Sequence, residues 1–248
     1  MKRRPAAKSP TILLFGRHAV AAALANPARR VRRLHIGEAA LRSFEIPQER
    51  AGLEVRKVDE RGFELLLGRG AVHQGVALEV EALAPIDPDA FLDEHKQARR
   101  IVAVDQVTDP RNLGAILRSA AAFGVDLVIL PERHAAPLDG VCARAAAGGL
   151  DLVPIAPVVN LARSLTELKE RGFTVVGLAG EAETSLDADP PAEPWVLVLG
   201  SEGEGMRRLV RERCDRLAAL PIDPRIESLN VSVAAGIALW ALSRPGRG

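Results

Sequence analysis

Glu227-Ser228-Leu229-Asn230-Val231-Ser232-Val233-Ala234-Ala235-Gly236 joins a polar tetrad to an apolar run near the C-terminus. Ser228 and Asn230 carry side chains that hydrogen-bond in both directions. They stand where a loop should enter a helix, the usual place for N-caps and small-ligand contacts. Taken alone, the stretch reads as an N-cap followed by a core helix over residues 231–242. Upstream of it the pattern is regular. Strands are predicted over residues 101–104, 127–130, 153–155, 173–178, 195–199 and 216–220, and helices over 112–123, 138–147, 161–171 and 206–213. Strands alternating with helices predict an α/β fold, with a mostly parallel sheet covered by helices on both faces.

The N-terminal third reads differently. Residues 1–10 form a basic tail expected to be flexible, and residues 11–81 carry a small αβ pattern. A helix is expected around 20–24, strands over 31–36 and 53–58, and a strand-like run over 75–80. Residues 82–98, with Pro85, Pro88 and several acids, read as a linker to a second domain over 99–248. Charge divides along the same line. Residues 1–80 carry a net charge of +7 and residues 81–248 a net charge of −6. The basic part suggests a polyanion-facing module, and its arginines suit bidentate phosphate contacts.

No apolar run is long enough to span a bilayer, and the basic N-terminus lacks a following signal-type segment. The two cysteines, Cys142 and Cys214, are far apart and without metal-ligand spacing, so no metal site is expected. They fit a reducing cytoplasm as structural residues, with a catalytic thiol as the alternative.

Two further blocks set the function. One is Asp105-Gln106-Val107-Thr108-Asp109-Pro110-Arg111-Asn112-Leu113-Gly114-Ala115-Ile116-Leu117-Arg118. The other is Trp195-Val196-Leu197-Val198-Leu199-Gly200-Ser201-Glu202-Gly203-Glu204-Gly205-Met206. With the C-terminal block they resemble, in order, spacing and context, the three signature motifs of the SpoU family of RNA ribose 2'-O-methyltransferases. That family belongs to the knotted SPOUT class. The resemblance is strong over residues 99 to 244 and weaker before them, where Gly16-Arg17-His18-Ala19-Val20 and His73-Gln74-Gly75-Val76 resemble loops of the substrate-binding domain of one subgroup. The nearest subgroup modifies a guanosine ribose of 23S ribosomal RNA, and a tRNA-modifying subgroup is a near relative.

The resemblance implies a C-terminal trefoil knot, S-adenosylmethionine as cofactor, an RNA substrate, and a homodimer. It implies that the small N-terminal domain binds RNA. It places cofactor contacts at Gly200, Leu220 and Leu229, largely through backbone, and catalysis at Asn112, Arg118, Glu202, Ser228 and Asn230. Nothing in the strand–helix alternation itself predicts a knot, which contradicts the usual no-threading rule.

The residues can be weighed on their own chemistry. A ribose 2'-hydroxyl is a weak acid and must be held in line with the methyl, partly stripped of its proton and shielded from water. Arg118 as a general base is chemically demanding, because guanidinium stays protonated. A milder role is to clamp the phosphate beside the target ribose, with a phosphate oxygen taking the proton. Both versions stay open at the level of sequence. Arg118 follows Asn112 by six residues, about 1.7 helical turns, so the two need not share a face.

The Gly200–Gly205 loop is neither a phosphate-binding loop nor the dinucleotide fingerprint, and its acids suit a cationic sulfonium better than a pyrophosphate. His73 reads equally as a surface-loop residue or an RNA contact. Two positions depart from the family pattern. Pro224 stands where a glycine is usual, and Ala146-Ala147-Gly148-Gly149-Leu150-Asp151 stands where the subgroup often has Ser-x-Gly-Ala followed by an acidic position. A non-catalytic RNA-binding protein of the same fold is the competing reading, which the intact polar set disfavours. A nucleotide-dependent oxidoreductase is disfavoured by the missing fingerprint.

Overall fold

Apolar runs without polar interruption build the larger sheet. β5 (Arg100–Val104), β6 (Leu127–Pro131) and β9 (Trp195–Leu199) are buried along almost their whole length, as central parallel strands must be. The computed structural model describes residues 11–243, so the basic tail over 1–10 lies outside the described residues.

The N-terminal sheet comprises β1 (Thr11–Phe15), β2 (Val31–Ile36), β3 (Glu54–Lys57) and β4 (Val76–Glu81) in the order β1-β4-β2-β3. β4 is antiparallel to both of its neighbours, and β2 is parallel to β3. Helices α1 (Arg17–Ala25), α2 (Glu38–Leu41) and α3 (Glu60–Leu67) connect these strands. The strand β1 and helices α2 and α3 are additions to the sequence reading.

α4 (Pro88–Glu94) lies inside the segment read as linker. Asp87 caps it by accepting from Ala90 N at 2.9 Å, and Pro88 occupies its first turn, where the missing N–H costs nothing. Its Phe91 and Leu92 pack into the apolar cluster on one face of the larger sheet.

The larger sheet has the order β10-β8-β9-β5-β6-β7 and is parallel throughout, with β7 (Ile155–Val158), β8 (Thr174–Leu178) and β10 (Arg216–Ala218) completing it. Helices α5 (Pro110–Ala122), α6 (Gly140–Ala146), α7 (Gly149–Leu152), α8 (Leu161–Glu170), α9 (Arg208–Arg211) and α10 (Val231–Leu242) follow in chain order. α8 packs on one face and α5, α6 and α10 on the other. The strand–helix alternation is therefore as expected, with local shifts. α5 starts at Pro110 rather than Asn112, because Asp109 accepts from Arg111 N at 2.8 Å and caps the chain two residues earlier. Val153, expected to open a strand, instead closes α7, and β7 begins at Ile155. α9 keeps only the middle of the expected helix.

The two modules share one apolar core. Leu14, Val20, Leu24, Leu34 and Leu78 of the first join Leu113, Leu117, Cys142 and Leu150 of the second. Backbones approach closely there: a Cβ on Gly140 would lie 2.2 Å from Leu13 O.

Candidate active site

Three chain segments meet at one carboxylate oxygen. Glu202, at the tip of the loop after β9, presents Oε1 to Asn112 Nδ2 at 3.0 Å, to Asn230 Nδ2, and to the backbone N–H of Val231 at 3.3 Å. Asn230 Nδ2 also donates to Asn112 Oδ1 at 3.0 Å. The other half of the Asn230 amide caps α10, because Oδ1 accepts from Ser232 N at 3.0 Å and Val233 N at 3.3 Å. A single amide thus caps the helix on one side and joins Asn112 and Glu202 on the other.

The loop carrying Glu202 is held at both ends. Ser201 N donates to Gly205 O at 3.0 Å and Gly205 N to Ser201 O at 3.1 Å, so residues 201–205 close on themselves. A Cβ on Gly200 would sit 2.2 Å from the Gly205 carbonyl carbon, so only glycine permits that closure. Beyond the loop, Asp105 is fully buried at the end of β5. It accepts from Arg207 N at 2.9 Å and from Arg207 Nε at 2.9 Å, and lies 2.7 Å from Arg207 Nη2. Its own N–H donates to Leu199 O at 2.7 Å. Sequence reasoning did not single out Asp105 or Arg207. The available signal was an acid directly after an apolar strand, which burial obliges to find a partner.

A cleft of about 540 Å³ opens beyond the C-terminal ends of β8, β9 and β10, where parallel sheets usually bind ligands. Gly200, Leu220 and Leu229, the three expected cofactor positions, all line it. Glu202 and Ser228 line it too. Ser228 faces the cleft but makes no hydrogen bond with any described residue, so it stands apart from the Asn112–Glu202–Asn230 cluster. Four carboxylates (Glu181, Glu202, Glu204 and Glu227) and one guanidinium (Arg211) line the cleft. Arg211 bonds Glu181 and holds its carboxyl below the usual carboxylate range.

Arg118 is exposed on α5, on the side away from the buried Leu113, Ile116 and Leu117, and has no hydrogen bond or ion pair with any described residue. Pro224 is accommodated: Ile226 N donates to Asp223 O at 2.9 Å, which places the proline second in a β-turn, its favoured position. His73 lies half-buried in the loop before β4, with its ring held within its own module. Nδ1 accepts from Gly75 N at 3.1 Å, Nε2 meets Glu60 Oε1 at 3.1 Å, and the ring stacks on Phe63 at 4.0 Å.

Neither thiol is poised for chemistry. Burial, reinforced by Asp139, pushes Cys142 up to about 12, and burial with Asp215 pushes Cys214 up to about 11. Among the described residues no group of His, Cys, Asp and Glu is placed to hold a metal ion.

Residues 99–240 match the SpoU rRNA methylase family, and residues 13–86 match the domain described as RNA 2'-O ribose methyltransferase substrate binding. The chain belongs to the SpoU family of S-adenosylmethionine-dependent RNA ribose methyltransferases. It is 39% identical over 241 residues to the 23S rRNA (guanosine-2'-O-)-methyltransferase RlmB of Ralstonia nicotianae, covering 95% of this chain and 96% of that one. It is 40% identical to an uncharacterized tRNA/rRNA methyltransferase of Mycobacterium avium over 80% of its own length, but spans only 64% of that relative. Among solved structures, an AdoMet-bound rRNA methyltransferase from Sinorhizobium meliloti superposes with a TM-score of 0.75 at 25% identity, covering 94% of this chain and 86% of that one. The AdoMet complex of AviRb from Streptomyces viridochromogenes shares the fold, with a TM-score of 0.75 at 23% identity over 94% of this chain and 89% of that one.

The cleft fits S-adenosylmethionine on its own terms. Glycines leave the backbone of the β9 loop accessible, Leu220 and Leu229 offer apolar walls, and the excess of carboxylates suits a sulfonium cation. Because Asp105 pins the exit of that loop, Asp105→Asn should weaken cofactor binding by about tenfold or more, the cost of one charge-assisted hydrogen bond. Titration calorimetry on the folded variant checks this. Wild-type affinity would mean that the loop keeps its shape without the clamp.

Proposed function

We propose that the protein methylates the 2'-hydroxyl of a guanosine ribose in 23S ribosomal RNA. The observation that carries the reading is the Asn112–Glu202–Asn230 cluster at the edge of the cleft, with Arg118, which has no partner among the described residues, on the same helix as Asn112. The near end-to-end match to guanosine-modifying 23S enzymes supports the choice of target.

When bound, S-adenosylmethionine would supply an activated methyl on a sulfonium, the sulfur being left as a neutral thioether. The protein supplies orientation and electrostatics. Gly200, Leu220 and Leu229 hold the cofactor, and Ser228 adds a hydroxyl to the cleft wall. Glu202, Asn112 and Asn230 form one hydrogen-bonded unit that fixes the junction of the cofactor cleft with α5 and α10. Arg118 grips the phosphate beside the target ribose. Its planar fork suits two phosphate oxygens, and its charge offsets the negative charge that grows on the ribose oxygen. The hydroxyl proton passes to a phosphate oxygen, so Arg118 need not lose its own. An exposed arginine with no acceptor among the described residues supports the clamp over the base.

The module over residues 11–81 grips RNA, residues 99–248 carry the chemistry, and residues 82–98 join them. The trefoil belongs to the same reading. β10 lies at the sheet edge beside β8, whereas α10 returns to pack on α5, and an experimental backbone trace decides whether the chain threads. The free cysteines fit a reducing cytoplasm, and among the described residues no helix is long and apolar enough to cross a membrane.

Cells lacking the protein should lose one ribose methylation in 23S RNA by nucleoside mass spectrometry, and wild-type protein should restore it. Arg118→Ala should not restore it, and its single-turnover rate should fall by about 100-fold or more with cofactor affinity kept. Arg118→Lys should recover little, because ammonium lacks the fork. Loss of a tRNA methylation instead would move the target, and turnover by Arg118→Ala would remove Arg118 from the mechanism.

A homodimer completes the proposal. Val233, Ile237 and Trp240 form a stripe along α10 and are 49%, 42% and 47% exposed, more apolar surface than one helix face usually leaves in water. Light scattering should give twice the chain mass at micromolar concentration, and a monomer there would contradict it.

A further inference from the structure

The turn that departs from the family pattern, residues 146–151, lies between the two modules. Ala147 and Gly148 both adopt left-handed backbone, with φ of 48° and 106°, so the chain turns sharply from α6 into α7. A Cβ on Gly148 would lie 3.2 Å from Ala22 Cβ and 3.6 Å from His18 O, both on α1 of the N-terminal module. A Cβ on the next residue, Gly149, would lie 2.6 Å from Leu117 O and 3.0 Å from Arg118 N. The corner is therefore a wedge with α1 on one side and the backbone of Arg118 on the other.

One turn further, Asp151 reaches back into the N-terminal module. Its Oδ1 accepts from Arg29 Nε at 2.7 Å and from Asn26 Nδ2 at 3.1 Å. The Arg29 and Asp151 side chains are only 3% and 2% exposed. Arg29 Nη1 also donates to Glu81 O at 3.2 Å, at the end of β4. A buried ion pair is a poor source of stability, because desolvation offsets the attraction. It is a good source of registry, since any other arrangement of the two modules strands a buried charge.

We propose that Arg29 and Asp151 are positioning residues for methyl transfer. Their ion pair latches the RNA-gripping module to the corner that packs on Arg118, and so fixes the distance between gripped RNA and the phosphate clamp. The inference rests on the role given to Arg118 above. It also gives each part of the corner a purpose: Gly148 and Gly149 allow the wedge, and Asp151 closes it.

The test uses the full chain with spin labels on Arg69→Cys and Glu170→Cys in a Cys214→Ser background, so that one label sits on each module. Wild-type latch residues should give one narrow distance. Asp151→Asn should broaden it and lower the single-turnover rate at saturating RNA and cofactor by about tenfold or more, with cofactor and RNA affinities within about twofold of wild type. Asp151→Glu, which keeps the charge, should restore much of both. If Asp151→Asn does not fold, Arg29→Lys, which keeps the charge but loses the planar fork, is read the same way. A broad distance in the parent, a broadened distance with unchanged rate, or a lowered rate with an unbroadened distance would each overturn the latch. Turnover by Arg118→Ala would sink the clamp instead, while the distance measurement would still report on the latch.

Discussion

A single carboxylate oxygen gathers the site. Glu202 Oε1 takes donors from Asn112, 90 positions earlier, from Asn230, 28 positions later, and from the N–H that opens α10. Those three segments belong to elements already brought together by the β5–β9 pairing and by the packing of α10 on α5. Everything that shapes the loop under Glu202 serves this junction. Gly200 lets the loop close on itself, and the buried Asp105 fixes its exit through both the backbone and the guanidinium of Arg207.

The junction is not what holds the fold together. Glu202 and Asn230 are exposed, and hydrogen bonds in that setting add little net stability. Stability comes from the continuous apolar core that both modules share, and from strands buried on both faces. The separation is useful for an enzyme. The rigid sheet presents the polar cluster at its C-terminal edge, and the cluster can be arranged for chemistry because the fold does not depend on it. Arg118 shows the same logic. Its neighbours Leu117 and Ile116 are fully buried, while its own side chain is exposed and has no partner among the described residues.

Much of this was legible in the sequence, because periodicity is local. The strand over 195–199 and the helix over 231–242 lie where the apolar runs put them, and Asn230 was readable as a cap. The motifs brought Gly200, Leu220 and Leu229 to one cleft. Local signals also failed in instructive ways. Asp87-Pro88 and Asp109-Pro110 are cap-and-proline starts. The first reads as linker because prolines usually mark loops, and the second begins its helix two residues early. Met206, Arg207 and Arg213 carry a helical pattern, but the chain at Arg207 is committed to Asp105, so α9 is short. Contacts that depend on tertiary approach had no local signature. The Arg29–Asp151 pair spans 122 positions, and His73 gave no sign that Phe63, Glu60 and Gly75 would occupy its ring and both nitrogens.

The central claim is that Glu202 organises the catalytic cluster through its charge, accepting several donors at one oxygen. The most direct measurement is single-turnover methyl transfer by Glu202→Gln at saturating RNA and cofactor. Glutamine keeps the shape but replaces a charged acceptor with a weaker one and brings a competing N–H donor. The account predicts a rate lower by about 100-fold or more, as for loss of other preorganised groups, with the thermal unfolding midpoint little changed. A Glu202→Gln protein that methylates RNA at the wild-type rate would contradict it.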